Sequence, residues 1–497
     1  MVFQHRRHAR GNSLFSRATS DLHARDDCEP ADPLNTLTDR LNTLLNSSGP
    51  GYTLPLCPSV QYYIQAPIVF AAPDQEISTA GYPTGDDRAT LVVNGPVALG
   101  SGHTTAIDGT CQTCSGVKLR NIQINGTRQG ASPTNGGANI EMGGGNSDQL
   151  IEYVHSFDPR SWSCLHIAEG PLTCNNATVQ HNDIGPCGSD TFQEWADGIS
   201  VSCRNSLVRN NTISNPTDGG IVLFGSPGTL VENNTIFVET NTLLGGINLV
   251  DYLPFDGDYT GTIVRDNIIM GGFATDEAEP GDTKGNNNED VIIKIGIAIG
   301  PRTWFGDRYG GNVSTSGTVM NNQLTGAFGY GIAMSSARNF TVENNALFGN
   351  TSFIGSRGPN CSNTDITPSP APFVIDLNLT TASTTQLDFQ SIPDGDGLTC
   401  ILPPDGGDFW PFGGNPEPGQ GGGGGGGGEA QSNNGGGGLS GGAKAGIAIG
   451  VILGVAGIAV AAWFVRKWAL KRSAAVKADQ PWNRDGYIQN NENIRQV

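Results

Sequence analysis

The residues of this chain that could do chemistry gather between positions 139 and 251. The segments His155-Ser-Phe-Asp-Pro-Arg-Ser-Trp162, His181 and Glu194-Trp-Ala-Asp197 are unlike the sequence around them. With His166 they hold three of the seven histidines, two tryptophans, several acids and one arginine. Carboxyl and imidazole groups move protons, and indole rings stack on sugars. The candidate catalytic residues are therefore Asp197, Asp218, His166 and His181. The candidate substrate-binding residues are Asp158, Arg160, Trp162, Glu194, Trp195, Asn248 and Asp251. Asp197 and Asp218 both directly precede the glycine of a recurring phrase, one repeat apart. If successive repeats stack, their carboxylates come to roughly 5 Å, near the separation of a retaining glycosidase pair. Like charges that close raise one pKa and make an acid and a base at neutral pH. The extra Gly219 would displace Asp218 by one residue. Two alternatives stand beside catalysis: shaping the turn before glycine, and binding calcium.

The repeats that must position these residues consist of two phrases. Val208-Arg-Asn-Asn-Thr-Ile213 returns as Val231-Glu-Asn-Asn-Thr-Ile236, and degraded copies begin at Leu119, Ile151, Val179, Val264, Val319 and Val342. Between them Asp218-Gly-Gly-Ile-Val-Leu223 returns at Gly198, Gly246, Gly296 and Gly331. Each phrase is too short for a helix and alternates β-branched residues, so each reads as a strand. A repeat near 23 residues built of strands predicts a parallel β-helix, an all-β solenoid. Two columns follow from that register. Arg120, Glu152, Gln180, Arg209, Glu232, Arg265, Met320 and Glu343 form an outward column with opposite charges adjacent. Asn182, Asn211, Asn234, Asn267, Asn322 and Asn345 form an amide ladder at a turn. Inward residues are used up in packing, so function falls to outward columns and loops. Aligning the second phrase by its Gly or Cys gives the outward column Asn139, His166, Ser200, Val222, Asn248, Ala298 and Ala333.

The Asn ladder and the V-x-N-N-x-I and G-G-I-x-L phrases, preceded by an amphipathic helix, resemble the right-handed parallel β-helix proteins of the pectin-lyase-like superfamily. The resemblance covers about Leu34 to Phe348. It implies an N-terminal helical cap and a carbohydrate-related role, since similar proteins include polysaccharide lyases, glycoside hydrolases, uronate epimerases and non-catalytic binders. Phe157-Asp-Pro-Arg160 resembles the Asp-Pro-His-Glu segment of bacterial alginate epimerases, with Arg160 at the His position. Arg160 would pair with a uronate carboxylate or form a structural salt bridge. The clustered Asp with Gly-His-Gly of polygalacturonases is absent.

The rest of the chain divides by composition. Residues 1–33 read as a basic, polar, disordered leader without the apolar run of a signal peptide. Leu34, Leu37, Leu41, Leu44 and Leu45 lie on one helical face and predict the cap. The solenoid runs to 351, with Ala274 to Asp290 as a long acidic excursion, read either as a solvated loop or as a lid. Residues 352–412 lose the repeat and form a cover held by a Cys361–Cys400 disulfide. A Gly-rich tether spans 413–444. Ala445 to Val465 is uncharged and apolar, and Arg466, Lys467, Lys471 and Arg472 follow it. That pattern predicts a single transmembrane helix in the plasma membrane, with residues 466–497 cytoplasmic and the rest outside. Gly446, Gly450 and Gly454 suggest a helix-mediated dimer. A net charge of -19 argues against nucleic acid as a partner. Ten cysteines and sequons at Asn46, Asn125, Asn176, Asn312, Asn339, Asn350 and Asn378 point to an oxidising, glycosylating compartment. Cys111-x-x-Cys114 reads as a structural disulfide, and proximity suggests Cys164–Cys174 and Cys187–Cys203. No metal site is assigned, although Asp251, Asp256 and Asp258 offer oxygens to Ca²⁺. The function expected is binding, with or without cleavage, of an extracellular polysaccharide, one containing uronates; the alternative is a non-catalytic carbohydrate-binding or wall-adhesion module.

Overall fold

A computed structural model describes residues 28–252, 255–272, 291–306, 311–356, 368–396 and 398–400. The excursion at 274–290, Cys361, the Gly-rich tether, the apolar span 445–465 and the tail lie outside the described residues. The chain winds as a parallel β-helix with three faces. Eleven short strands, from Thr53–Leu56 to Thr384–Thr385, make the first face. The other two faces join into one twenty-stranded sheet, because the strand Gln323–Met334 runs through both. The Val208 and Val231 segments pair side by side and parallel, as do the segments at Val319 and Val342.

The first phrase is not one strand. Leu207–Arg209 belongs to the first face and Thr212–Ser214 to the second, with the corner at Asn210 and Asn211. Asn210 has φ 54° and Asn233 has φ 54°, a left-handed turn that asparagine tolerates. Asn211 and its counterparts carry the corner. Each of the five ladder steps from Asn182 to Asn345 is an Nδ2 to Oδ1 hydrogen bond of 2.9 Å. The second Nδ2 hydrogen goes to a carbonyl one coil back, Val208 for Asn234 and Val264 for Asn322. Each Oδ1 also accepts a backbone N–H, such as that of Asn211 on Asn234. An interior amide in the ladder therefore uses both donors and both lone pairs.

A glycine column explains the second phrase. A Cβ at Gly220 would sit 2.5 Å from the Gly246 carbonyl oxygen and 2.8 Å from Ile236. Gly198, Gly246 and Gly296 meet the next coil in the same way. The corner therefore closes only without a side chain. Inside it, Ile199, Ile221, Ile247, Ile297 and Ile332 are fully buried beside Val208, Val231 and Val264. The outward charged column stands as expected. Arg120 lies 2.6 Å from Glu152 and 3.6 Å from Glu76, and Arg265 lies 2.7 Å from Glu232. Gln180 and Arg209 continue it by hydrogen bonds.

The helix Leu37–Ser48 covers the first coil, with Leu37, Leu41 and Leu45 buried. Leu34 departs from the expected face: it lies in a short 3-10 turn and is half exposed. The side chain of Asn42 accepts from Val69 N and donates to Pro67 O, so the helix pairs part of the open strand edge beneath it. Cys28–Pro33 belong to the fold rather than to a leader, since Cys28 is bonded to Cys57 and Glu29 pairs with Leu56. At the other end, Phe373–Asp376, Thr380–Thr381 and Thr384–Thr385 add another coil in register, so the solenoid continues past 351. Cys111–Cys114 is a disulfide as expected. The bonds Cys164–Cys187 and Cys174–Cys203 replace the pairings inferred from proximity, because stacking brings residues one coil apart together. The sequon residues Asn46, Asn339, Asn350 and Asn378 are exposed.

Replacing Asn322 by Ala strands the two Asn267 donors and removes the donors to Val264 and Asn345. Unfolding in denaturant is expected to show a loss of about 3 kcal/mol or more, at about 1–3 kcal/mol for each buried group left unpaired. Asn321→Gly, at the exposed left-handed residue beside it, should stay within about 0.5 kcal/mol.

Candidate active site

The third face presents its outward residues in one column. The register runs Asp108, Glu141, His166, Ser200, Val222, Asn248, Ala298, Ala333. Glu141, not Asn139, is therefore the neighbour of His166. Asn139 falls instead in the corner position that glycine holds in later coils. It is fully buried there and donates to Ser156 Oγ and the Phe157 carbonyl. Its polarity serves the corner and not the groove.

His166 is held between two carboxylates. Nδ1 lies 2.8 Å from Glu141 Oε2, and Nε2 lies 3.3 Å from Glu169 Oε2. Burial opposes the charged ring, but the two carboxylates outweigh it and raise the pKa to about 10. His166 is therefore a fixed imidazolium at neutral pH and not a general base. The edge of Trp162 meets it at 4.8 Å between ring centres. Glu141 was hidden from the sequence by the register error; Glu169, three residues after His166, had no motif to mark it.

Asp197 opens the next strand of this face, Asp197–Val201. The register sets Gly219, not Asp218, beside it, so the two carboxylates do not stack directly. The extra glycine moves Asp218 back by one residue. Asp197 is buried; Oδ2 accepts from Ser200 Oγ at 2.7 Å and Oδ1 from Gly219 N at 2.8 Å. Burial raises its pKa to about 6, against the pull of these bonds and of the His166 charge. Asp218 is half-buried, and none of the described residues donates a hydrogen bond to its carboxyl group. Burial and then the charge of Asp197 push its pKa well above the usual range. The two acids therefore differ in kind: Asp197 is bonded through both oxygens, whereas Asp218 has no donor among the described residues and is pushed the further towards its protonated form.

Asn248, two coils from Asp197, is buried in the column of His166, Ser200 and Val222, with neither amide atom hydrogen-bonded by a described residue. A polar group buried this way costs about 1–3 kcal/mol. Gly219 lies between these two side chains, since a Cβ there would stand 2.9 Å from Asp197 Oδ1 and 3.0 Å from Asn248 Nδ2.

The other candidates stand away from this cluster and hold the loops beside it. Arg160 donates to Thr127 Oγ1 and to the carbonyls of Gly95 and His103, so its guanidinium is committed to the backbone and not to a uronate. Asp158 accepts from Gln129 N with both oxygens. Glu194 pairs with Arg128 at 3.2 Å and accepts from Ser132. Trp195 is buried in a second apolar cluster with Phe192, which removes it as an open stacking surface. His181 occupies the left-handed turn position of the first phrase, φ 56°, and stacks on Tyr153 at 5.2 Å. Asp251, past the far end of the strand Leu243–Leu249, accepts from Tyr259 OH at 2.8 Å and from Gly225 N. Burial raises its pKa to about 7. Asp258 N donates to Asp256 at 3.4 Å in an exposed loop. Among the described residues no three His, Cys, Asp or Glu side chains are arranged to hold a metal ion.

Residues 172–289 match the family model for a right handed beta helix region. No curated protein sequence matches the chain. An alginate lyase from Paenibacillus sp. str. FPU-7 is similar over 64% of this chain and 95% of its own, at 14% identity and TM-score 0.39. DFA-IIIase from Arthrobacter chlorophenolicus A6, in complex with GF2, covers 71% and 84% at 13% identity and TM-score 0.44. PfbA, a surface adhesin of Streptococcus pneumoniae, covers 72% and 85% at 11% identity and TM-score 0.39.

Proposed function

We propose that this protein is a cell-surface β-helix hydrolase that binds an extracellular polysaccharide on its third face and cleaves it with Asp218 and Asp197. The observation that carries this reading is the asymmetry of the two neighbouring acids. Asp218, protonated and unbonded, delivers its proton to the glycosidic oxygen as the bond to the anomeric carbon breaks. Asp197, ionised, either takes a proton from the attacking water or attacks that carbon itself. Trp162 offers an aromatic surface beside them, and the bonds from Ser200 and the Gly219 amide, with a smaller pull from the His166 charge, favour the ionised form of Asp197 against its burial. The acids of this face outnumber the single His166 cation, so a neutral sugar suits it better than a polyanionic uronan. The four disulfides formed between described residues, and the exposed sequons, support an extracellular setting. The apolar span Ala445 to Val465 would anchor the chain in the plasma membrane, and its small-residue stripe would serve a dimer. A second reading, a non-catalytic carbohydrate-binding module, is favoured by the bonds that hold Asp197 to Ser200 and the Gly219 amide, as in a turn.

Incubation of the full-length protein with neutral glucans and with uronans separates these readings. New reducing ends from a neutral glucan, with no absorbance at about 235 nm, are expected of the hydrolase; absorbance there on a uronan would mark a lyase. Binding without cleavage would leave the module. Asp218→Asn and Asp197→Asn should each lower kcat by about 10²–10⁴-fold, the usual contribution of a positioned acid or base. The rate should rise through about pH 6 as Asp197 ionises, and fall where Asp218 loses its proton.

The histidine yields a separate expectation. Its folded pKa of about 10 exceeds the unfolded value near 6.5, so its contribution to stability is complete below about pH 6.5 and is lost as pH rises through about 10. Imidazole NMR signals should show His166 still protonated at about pH 9, and Glu141→Gln should bring the titration down.

A further inference from the structure

We propose that Asn248 is a sugar-hydroxyl subsite adjoining Asp197, roofed in the free protein by Trp304. The proposal rests on the reading of this face as a carbohydrate site. Asn248 offers one acceptor and two donors, the complement of two neighbouring hydroxyls on one sugar ring. In the free protein neither amide atom has a hydrogen-bond partner among the described residues. That distinguishes it from Asn182, Asn211, Asn234 and Asn267, whose amides are fully used. An amide buried without partners destabilises the chain that carries it, and an apolar residue would pack there at lower cost.

The glycines around Asn248 let its amide and the Trp304 indole lie directly against the backbone of the preceding turns. Gly219 and Gly245 occupy successive places in the column that holds Asp197 one coil earlier. A Cβ at Gly245 would lie 2.2 Å from Asn248 Oδ1 and 2.4 Å from Trp304 Cζ3. The amide and the indole therefore crowd one point. At Gly219 the corresponding point lies 2.9 Å from Asp197 Oδ1 and 3.0 Å from Asn248 Nδ2, with a Val222 methyl carbon 2.2 Å from it. A hydroxyl seated outward of Gly219 would bridge the carboxylate and the amide. The two side chains approach one another across Gly219, so a single sugar seated there would meet both the Asp197 carboxylate and the Asn248 amide. Trp304 sits on the five-residue helix Pro301–Phe305, outside the solenoid wall. For a sugar to reach Asn248 the indole must swing off Gly245, and it can then stack on the ring that displaces it.

The test is calorimetric binding of neutral glucan hexasaccharides to the full-length protein and to Asn248→Leu. The variant is expected to bind at least 10-fold more weakly and to melt about 2 °C or more higher. Asn248→Asp, nearly isosteric, keeps an acceptor and loses both donors, and should also bind at least 10-fold more weakly. Binding should shift tryptophan emission in the parent protein and not in Trp304→Phe. Unchanged affinity in Asn248→Leu, or in Asn248→Asp if the leucine variant does not fold, would overturn the subsite while leaving the sugar face in place. Binding with no change in emission would overturn the displaced roof. Failure of the parent protein to bind any glycan of the set would remove the carbohydrate reading itself, and the subsite with it.

Discussion

Vertical register between coils is the constraint on which the rest of this structure depends. Every residue of the candidate site owes its neighbours to stacking at roughly 4.8 Å and not to proximity along the chain. Two interactions fix that register from inside. The asparagine ladder permits one alignment, because a slip of one residue would break every amide bond from Asn182 to Asn345 together. The glycine column permits one close approach, because any side chain at Gly220 would strike the carbonyl of the coil above. The external Arg120–Glu152 and Glu232–Arg265 pairs agree with this register, but exposed pairs contribute little and do not set it.

With the wall held rigid, the outward face becomes a place where charge can be arranged without conformational search. His166 is fixed between Glu141 and Glu169 and cannot shuttle protons at neutral pH. Its charge instead acts on Asp197, whose other restraints come from Ser200 and the Gly219 amide. Asp218 has no such restraints. The difference between these two identical side chains thus arises from one inserted glycine: Gly219 gives its N–H to one acid and displaces the other out of line. Its missing side chain also lets Asp197, Val222 and Asn248 crowd towards one point.

The loops beside the face are tied as firmly as the wall. The disulfides Cys164–Cys187 and Cys174–Cys203 link successive coils, and Arg128–Glu194 and the bonds from Arg160 to Gly95 and His103 reach across two. The charged residues in these loops that look most like substrate ligands in sequence are spent on this bracing. Their removal from the candidate list leaves, in the outward column among the described residues, Asp108 and Glu141 beside His166.

The fold was legible in the sequence because a solenoid repeats its packing problem. Each coil needs an inward Val, an amide at the corner and a glycine where two backbones meet, and the sequence shows all three recurring in the same order. Disulfide partners one coil apart, the corner that divides the first phrase, and the exact neighbour of His166 were not legible, since each depends on aligning coils of unequal length to the residue. Asn139 illustrates this: in sequence it fits the outward column, but in the folded wall it fills the corner. By itself the sequence determined that outward residues near 139–251 would carry any chemistry, because inward ones are consumed by the core. Only the tertiary structure decided that Glu141 and Glu169 charge His166, that Asp197 is bonded while Asp218 is not, and that Asn248 keeps an unused amide, because burial and hydrogen-bond partners are set by neighbours tens of residues away along the chain.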